Sequence, residues 1–249
     1  MKIKKILVLI LAIITSIVYV LLLNDYLGKE KPTFSTEKKE EKPSESITVD
    51  KILNFISDYE LNNLDFANIQ FNEVEKLTNQ DKIIMSYLAL EDEIDFSKGV
   101  SYTKLETYLR TVFGKKITLE NENLIYKENK ILSYDDETDT YTLINNKDLE
   151  LYLSKYNYII EFKTVDSEYV LTVNKFFERD NKVYISFGDL QNDMNVLFEI
   201  PEEEENKTTY IKNYVNSKYE EILEDLSIYT YTFAKEDGSL ILKSYKKEK

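Results

Sequence analysis

The sequence contains no cysteine, no histidine and no tryptophan. The lack of cysteine excludes disulfides, thiolate nucleophiles, iron–sulfur clusters, cysteine zinc sites and a lipid-attachment cysteine. The lack of histidine removes the side chain most used as a general base and as a transition-metal ligand. Ser–His–Asp and Cys–His arrangements are therefore impossible within this chain. We single out no catalytic, cofactor-binding or metal-binding residue, and we expect no cofactor.

Glycine and proline are also scarce, with five and three residues. No glycine-rich phosphate loop is present, and the strand–helix–strand alternation of nucleotide-binding folds is missing. Apolar residues nevertheless make up 43% of the chain, including 20 tyrosines and 12 phenylalanines. This composition is sufficient to build a buried core.

The charge is predominantly negative, at −14 for the whole chain. Residues 1–47 contain eight lysines and six acidic residues, so they carry +2 and residues 48–249 carry near −16. A surface of this sign repels nucleic acid and anionic lipid head groups, so we do not expect nucleic acid as a partner. Plain solubility is the interpretation of this charge that we favour.

The N-terminus has the pattern of a membrane anchor. Residues 1–5 read MKIKK, and residues 6–23 form an uncharged apolar run that at about 1.5 Å per residue would span roughly one hydrocarbon core. A secretory signal has a shorter run and small residues at a cleavage site, which are missing here. We predict a transmembrane anchor over residues 6–24, with residues 1–5 cytoplasmic and the C-terminal domain outside. A cleaved signal is the alternative.

Residues 25–47 are predicted to be a flexible charged linker. The stretch 28–46 mixes lysine with glutamate, holds two prolines and has Phe34 as its one large apolar residue. Too little apolar surface is present to offset the entropy of ordering it. The remaining residues, 48–249, are predicted to form one extracytoplasmic domain.

Helical patterns come first in that domain. Thr48 and Thr78 are predicted to cap two helices, and Ser101 precedes a third, TKLETYLRTVF. Gly114 follows it where a left-handed C-cap requires glycine. Residues 208–226 fit a later helix.

Strand patterns dominate the second part, where apolar residues alternate. Asp237-Gly238 is a two-residue hairpin signal. We predict that each of these sets shares one face of a strand: Tyr158, Ile160 and Phe162; Tyr169, Leu171 and Val173; Val183, Ile185 and Phe187; Val196, Phe198 and Ile200; and Tyr229, Tyr231 and Phe233.

Helices followed by strands predict an α+β fold with an antiparallel β-meander. A curved sheet wrapped on helices, as in the NTF2-like fold, is compatible with this order of elements. That comparison rests on element order alone, because no motif supports it.

Two oxygen-rich stretches were compared with calcium-binding loops. Residues 134–141 read YDDETDTY, and residues 188–195 read GDLQNDMN. An EF-hand loop needs glycine at its sixth position, but these stretches hold Thr140 and Met194 there. We interpret both as loops between strands.

Clustered aromatic residues are a candidate binding feature. Such side chains can line a groove for a peptide or a glycan, although strand-forming aromatics more often fill a core, which is the interpretation we favour. The two candidate sets are Tyr152, Tyr156 and Tyr158, and Tyr229, Tyr231 and Phe233.

These features favour a non-enzymatic module of the bacterial cell envelope. Its expected partners are the membrane, through residues 6–24, and an envelope protein, a peptide or a wall component. A membrane-tethered hydrolase that uses two carboxylates is the alternative, since glycoside hydrolysis needs only a suitably spaced pair. A structural subunit of a membrane complex is a third hypothesis, supported only by the small residues Ala12 and Ser16 four positions apart.

Overall fold

The computed structural model describes residues 46–146, 153–185 and 195–248. Residues 47–249 form one compact unit. The predicted anchor and nearly all of the predicted linker lie outside the described residues. Within the described ranges, no helix has both the length and the apolar character needed to span a membrane.

Helices dominate the first part of the unit, as predicted. Thr48 accepts a hydrogen bond from the Lys51 amide, and Thr78 forms a reciprocal capping box with Asp81, so both predicted caps are confirmed. The α-helices are α1 (Val49–Asp58), α2 (Asn63–Phe66), α3 (Asn79–Leu90) and α4 (Tyr102–Phe113), with 3₁₀ turns at Val74–Lys76 and Phe96–Lys98.

A small antiparallel sheet combines one strand just before α4 with three strands after it. It pairs its strands in the order β1-β4-β3-β2. The strands are β1 (Val100–Ser101), β2 (Leu124–Tyr126), β3 (Asn129–Asp135) and β4 (Thr140–Leu143).

The larger antiparallel sheet is built around one long strand, β6. One edge of β6 pairs with β5 along its full length, and the other edge pairs first with β9 and then with β7. Its strands are β5 (Ser154–Val165), β6 (Glu168–Arg179), β7 (Lys182–Tyr184), β8 (Val196–Glu199), β9 (Ile228–Glu236) and β10 (Ser239–Glu248). Helix α5 (Lys207–Ile222), followed by a 3₁₀ turn at Leu223–Asp225, lies between β8 and β9 in the sequence. The α+β class and the antiparallel pairing are confirmed, but the chain departs from a simple meander because β9 returns to β6.

Two predicted faces are wrong, those of β8 and β5. For β8, the register against β7 shifts between Val183 and Tyr184, and Val196 is half-exposed whereas Phe198 and Ile200 are buried. The register of β5 against β6 shifts between Ile159 and Glu161, so Ile160 is an extra residue in the ladder. Such a bulge reverses the side-chain alternation beyond it. Tyr158 consequently packs on one side of the sheet and Phe162 on the other.

Each face of the large sheet carries a core. The larger core joins one face to α1–α4 and the small sheet, and Tyr229, Tyr231 and Phe233 are fully buried in it, with Tyr169 at its margin beside buried Leu171 and Val173. The smaller core joins the other face to α5. Its buried members are Phe176, Val183, Ile185, Phe198, Ile200, Ile211, Val215 and Leu226. Phe187 lies outside the described residues.

Candidate functional site: a groove along the edge of β5

Strand β5 forms an edge of the large sheet. Its inner edge is paired with β6, whereas its outer edge forms no backbone hydrogen bond with any described residue. Three apolar side chains of this strand are exposed by 40–44%, namely Ile159, Ile160 and Val165. Long, apolar, unpaired edges are uncommon in native proteins because they pair readily with other chains.

A groove with a volume of about 530 Å³ follows this edge. Five consecutive residues of β5, Lys155 to Ile159, line it. Because successive strand residues point to opposite faces of a sheet, a groove lined by all five extends around the outer edge of the strand. The groove therefore gives access to unpaired backbone groups as well as to side chains.

The first wall of the groove comes from α1 and the turn after it. Leu53 and Ser57 project from α1, and Asn62 lies just before α2. Lys155 fixes this wall against β5, because its ammonium group donates hydrogen bonds to Glu60, at 3.3 Å, and to Asn63. This side of the groove is largely polar.

The second wall comes from α5. Its exposed lining residues are polar, namely Thr208, Lys212 and Asn216. Beneath them lie the buried apolar side chains of Ile211, Val215 and Phe176 of β6. Tyr158 stacks on Tyr219 of α5, with ring centroids 4.5 Å apart. This contact holds the helix beside the strand edge.

The charge of the groove differs from that of the rest of the domain. Its described lining includes two lysines, Lys155 and Lys212, and no carboxylate. Lys212 is exposed and forms no ion pair with a described residue. The Oδ1 atom of Asn157 is buried in the lining and accepts no hydrogen bond there. The exposed Lys212 makes the groove suited to a ligand that supplies a carboxylate.

A second polar cluster lies next to the groove but is sealed. Lys175 of β6 lies opposite Asn157 in the register and hydrogen-bonds to Asp65 and, at 2.6 Å, to the hydroxyl of Tyr245. The rings of Tyr229, Tyr231 and Tyr245 surround its ammonium group, with centroids 4.6–4.9 Å away. Such cation–π contacts partly replace lost hydration.

Burial lowers the pKa of Lys175 to about 8, although the charge of Asp65 opposes this shift. Burial also raises the pKa of Tyr231 and Tyr245 well above 10. A lysine of lowered pKa can serve as a nucleophile, but only where a substrate reaches it. Only 1% of the Lys175 side chain is exposed, so we interpret the cluster as structural.

The predicted loop at residues 134–141 is a turn between β3 and β4. Asp135 accepts hydrogen bonds from the Glu137 amide and the Thr138 hydroxyl, and Asp139 accepts one from Tyr134. Its carboxylates thus stabilise the turn. No group of three metal-ligating side chains occurs among the described residues. The second oxygen-rich stretch, residues 188–195, lies outside the described residues except for Asn195.

The two predicted aromatic sets lie in different places. In the first set, Tyr156 and Tyr158 line the groove, and Tyr152 lies outside the described residues. The second set, Tyr229, Tyr231 and Phe233, is buried in the core. Sequence reasoning missed the walls of the groove, because α1 and α5 are distant in the chain and no pattern links them.

A smaller cavity of about 290 Å³ contains two carboxylates, Glu75 and Glu236, beside Lys82, Lys116 and Lys243. Glu75 is exposed. A glycosidase acid needs an environment that raises its pKa, such as an apolar pocket, so this cavity does not favour the hydrolase hypothesis.

No protein-family model, curated protein or solved structure matches this chain. Its function is therefore inferred from the chemistry of the groove.

Proposed function

We propose that this chain is a membrane-anchored, non-enzymatic binding module of the cell envelope, and that the groove along β5 binds a peptide segment of another envelope protein. The observation that carries the proposal is the combination of an open groove, which contains the half-buried Tyr156 and Tyr158, with an unpaired strand edge. Apolar clefts with a few convergent polar groups are the usual form of binding sites.

The proposed partner is a peptide for two reasons. The groove runs along a strand, which suits a linear ligand, and its unpaired backbone groups match those of another chain. The lining also contains tyrosines and amides, which can bind sugars, so the unpaired backbone edge is the feature that favours a peptide over a wall glycan.

The binding proposal is tested by selection from a displayed library of random linear peptides. The full-length chain in detergent micelles is the target, and Lys212→Glu and Ile159→Asp are the groove variants. Each has a matched control at an exposed residue outside the groove, Lys104→Glu on α4 and Ile125→Asp on β2. We expect selected peptides to lose at least tenfold affinity for the groove variants and to retain it for the controls. Failure to enrich any peptide would contradict the proposal.

The anchor is tested separately by thiol labelling. Because the chain contains no cysteine, an introduced cysteine is its single thiol. Ser35→Cys introduces a single thiol in the predicted linker, and Ile3→Cys introduces one in the predicted cytoplasmic segment. A membrane-impermeant maleimide should label Ser35→Cys on intact cells, and should label Ile3→Cys only after permeabilisation. Labelling in the opposite order would contradict the proposed orientation, and a shortened chain would indicate cleavage.

A further inference from the structure

We propose that the peptide binds as an added β-strand, hydrogen-bonded to the outer edge of β5 over residues 155–159. This inference rests on the proposed function and specifies its mode of binding. In strand addition, backbone hydrogen bonds supply affinity. Pockets on either side of the strand bind alternate side chains of the ligand and supply specificity.

The two halves of β5 differ in how their edge is protected. Beyond Ile159 the strand has a bulge, followed by the exposed ion pair between Glu161 and Lys163 with a 2.7 Å separation. Bulges and charged side chains are two devices by which proteins prevent edge pairing. The regular segment before the bulge is the part that lines the groove. This segment has no bulge, and its one charged side chain, Lys155, is held by Glu60 and Asn63.

The two walls predict the sequence pattern of the ligand. Side chains directed toward α5 would meet the half-buried ring of Tyr156 and the exposed Lys212, and should therefore include an apolar residue and an acidic one. Side chains directed toward α1 would meet Leu53, Ser57 and Asn62, and should include a residue that hydrogen-bonds to Ser57 or Asn62. Because strand side chains alternate, successive ligand residues should face the two walls in turn.

The charges predict an acidic residue in the ligand. Lys155 and Lys212 are the charged side chains of the described lining, and Lys212 forms no ion pair with a described residue. Charge complementarity therefore favours a peptide with a carboxylate near Lys212. It disfavours a second copy of this chain, which would bring the same lysines to the edge within a domain of charge near −16.

The test uses a peptide of about seven residues, chosen from those that the library selection enriches. Variants carrying a single backbone N-methyl group at each successive position are titrated against the full-length chain. N-methylation removes a hydrogen-bond donor and blocks close approach on that side. We expect affinity to fall about tenfold or more at every second position and to change little at the positions between.

Hydrogen exchange on the protein supplies a second readout. We expect peptide binding to slow exchange at alternate amides of residues 155–159, and to leave the outer strand β10 unchanged. A peptide that requires Lys212 but shows no alternation in either measurement would overturn strand addition and leave the groove proposal standing. A concentration-dependent dimer that Ile159→Asp disrupts and Ile125→Asp does not would overturn it in favour of a second copy.

Discussion

Lys175 and Asp65 form a buried ion pair, in which the two side chains are only 1% and 4% exposed. The pair joins the central strand β6 to the short helix α2, and the Tyr245 hydroxyl bonds to both partners and so includes β10. Burying two charges is costly. Removing one partner of such a pair therefore strongly destabilises the folded protein, whereas replacing both partners with apolar residues destabilises it much less.

Removing one partner tests this relationship. Lys175→Met should lower the free energy of unfolding by about 3–5 kcal/mol, because it leaves the Asp65 carboxylate buried without its cation. The double variant Lys175→Met with Asp65→Leu should recover most of that loss. Urea unfolding followed by far-UV circular dichroism measures both values. A single variant as stable as the unaltered chain would contradict a structural role for the pair.

The pH dependence of stability gives a second test. Burial lowers the pKa of Lys175 from 10.5 to about 8, so between these values the unfolded chain binds more protons than the folded one. The free energy of unfolding should therefore rise with pH above about 8, by at most about 1.4 kcal/mol per pH unit. Above pH 10 it should fall again, because burial keeps Tyr231 and Tyr245 protonated only in the folded state.

The measurement compares urea unfolding at pH 7, 8, 9 and 10 in the unaltered chain and in the Lys175→Met, Asp65→Leu double variant. High ionic strength reduces the contribution of surface lysines. The difference in stability between the two chains should shift in favour of the unaltered chain as the pH rises. A difference that is constant with pH would show that Lys175 keeps its proton throughout.

Local signals in the sequence predicted the helices well. Thr48, Thr78 and the residue after Phe113 act through contacts within one turn, so their sequence positions carry the necessary information. The bulge at Ile160 could not be predicted, because it is set by pairing with β6. Its effect was to place Tyr158 and Phe162 on opposite faces.

The groove was only partly foreseeable. Tyr156 and Tyr158 were recognised as candidates, but the same argument applied to Tyr229, which is buried. The burial of Lys175 could have been predicted from the sequence. Residues two apart in a strand share one face, so Lys175 lies on the same face as the buried apolar residues Val173 and Phe177. Its partner Asp65 lies 110 residues away, and no local pattern connects the two.

Gly114, which ends α4, tests backbone geometry. It has a φ of 92° with a ψ of 169°, so the predicted positive φ is confirmed, but the conformation lies outside the left-handed helical region. A Cβ atom there would also lie 2.5 Å from Oε2 of Glu236. Gly114→Ala should therefore destabilise the fold by about 1–3 kcal/mol.

Gly238 is the matched control, because it has a φ of 84° but open space around the position of a Cβ atom. Gly238→Ala should cost less than Gly114→Ala. Combining Gly114→Ala with Glu236→Ala should relieve the steric part and retain the backbone part. Equal thermal unfolding temperatures for the two glycine variants would show that the contact with Glu236 is unimportant.

Tyr219 connects the core to the groove. Its hydroxyl donates a 2.9 Å hydrogen bond to Oδ1 of Asn174, a fully buried residue whose amide nitrogen donates to the Ser227 carbonyl. Tyr219→Phe should cost about 1–2 kcal/mol, because it leaves the Asn174 oxygen buried without this donor. Tyr210→Phe on the same helix is the control, since its hydroxyl forms no hydrogen bond with a described residue. Because α5 forms one wall of the groove, Tyr219→Phe should also weaken the binding of a selected peptide several-fold. Tyr210→Phe should leave that affinity unchanged. A Tyr219→Phe chain that loses stability but keeps its affinity for the peptide would show that this helix contact does not support the binding site.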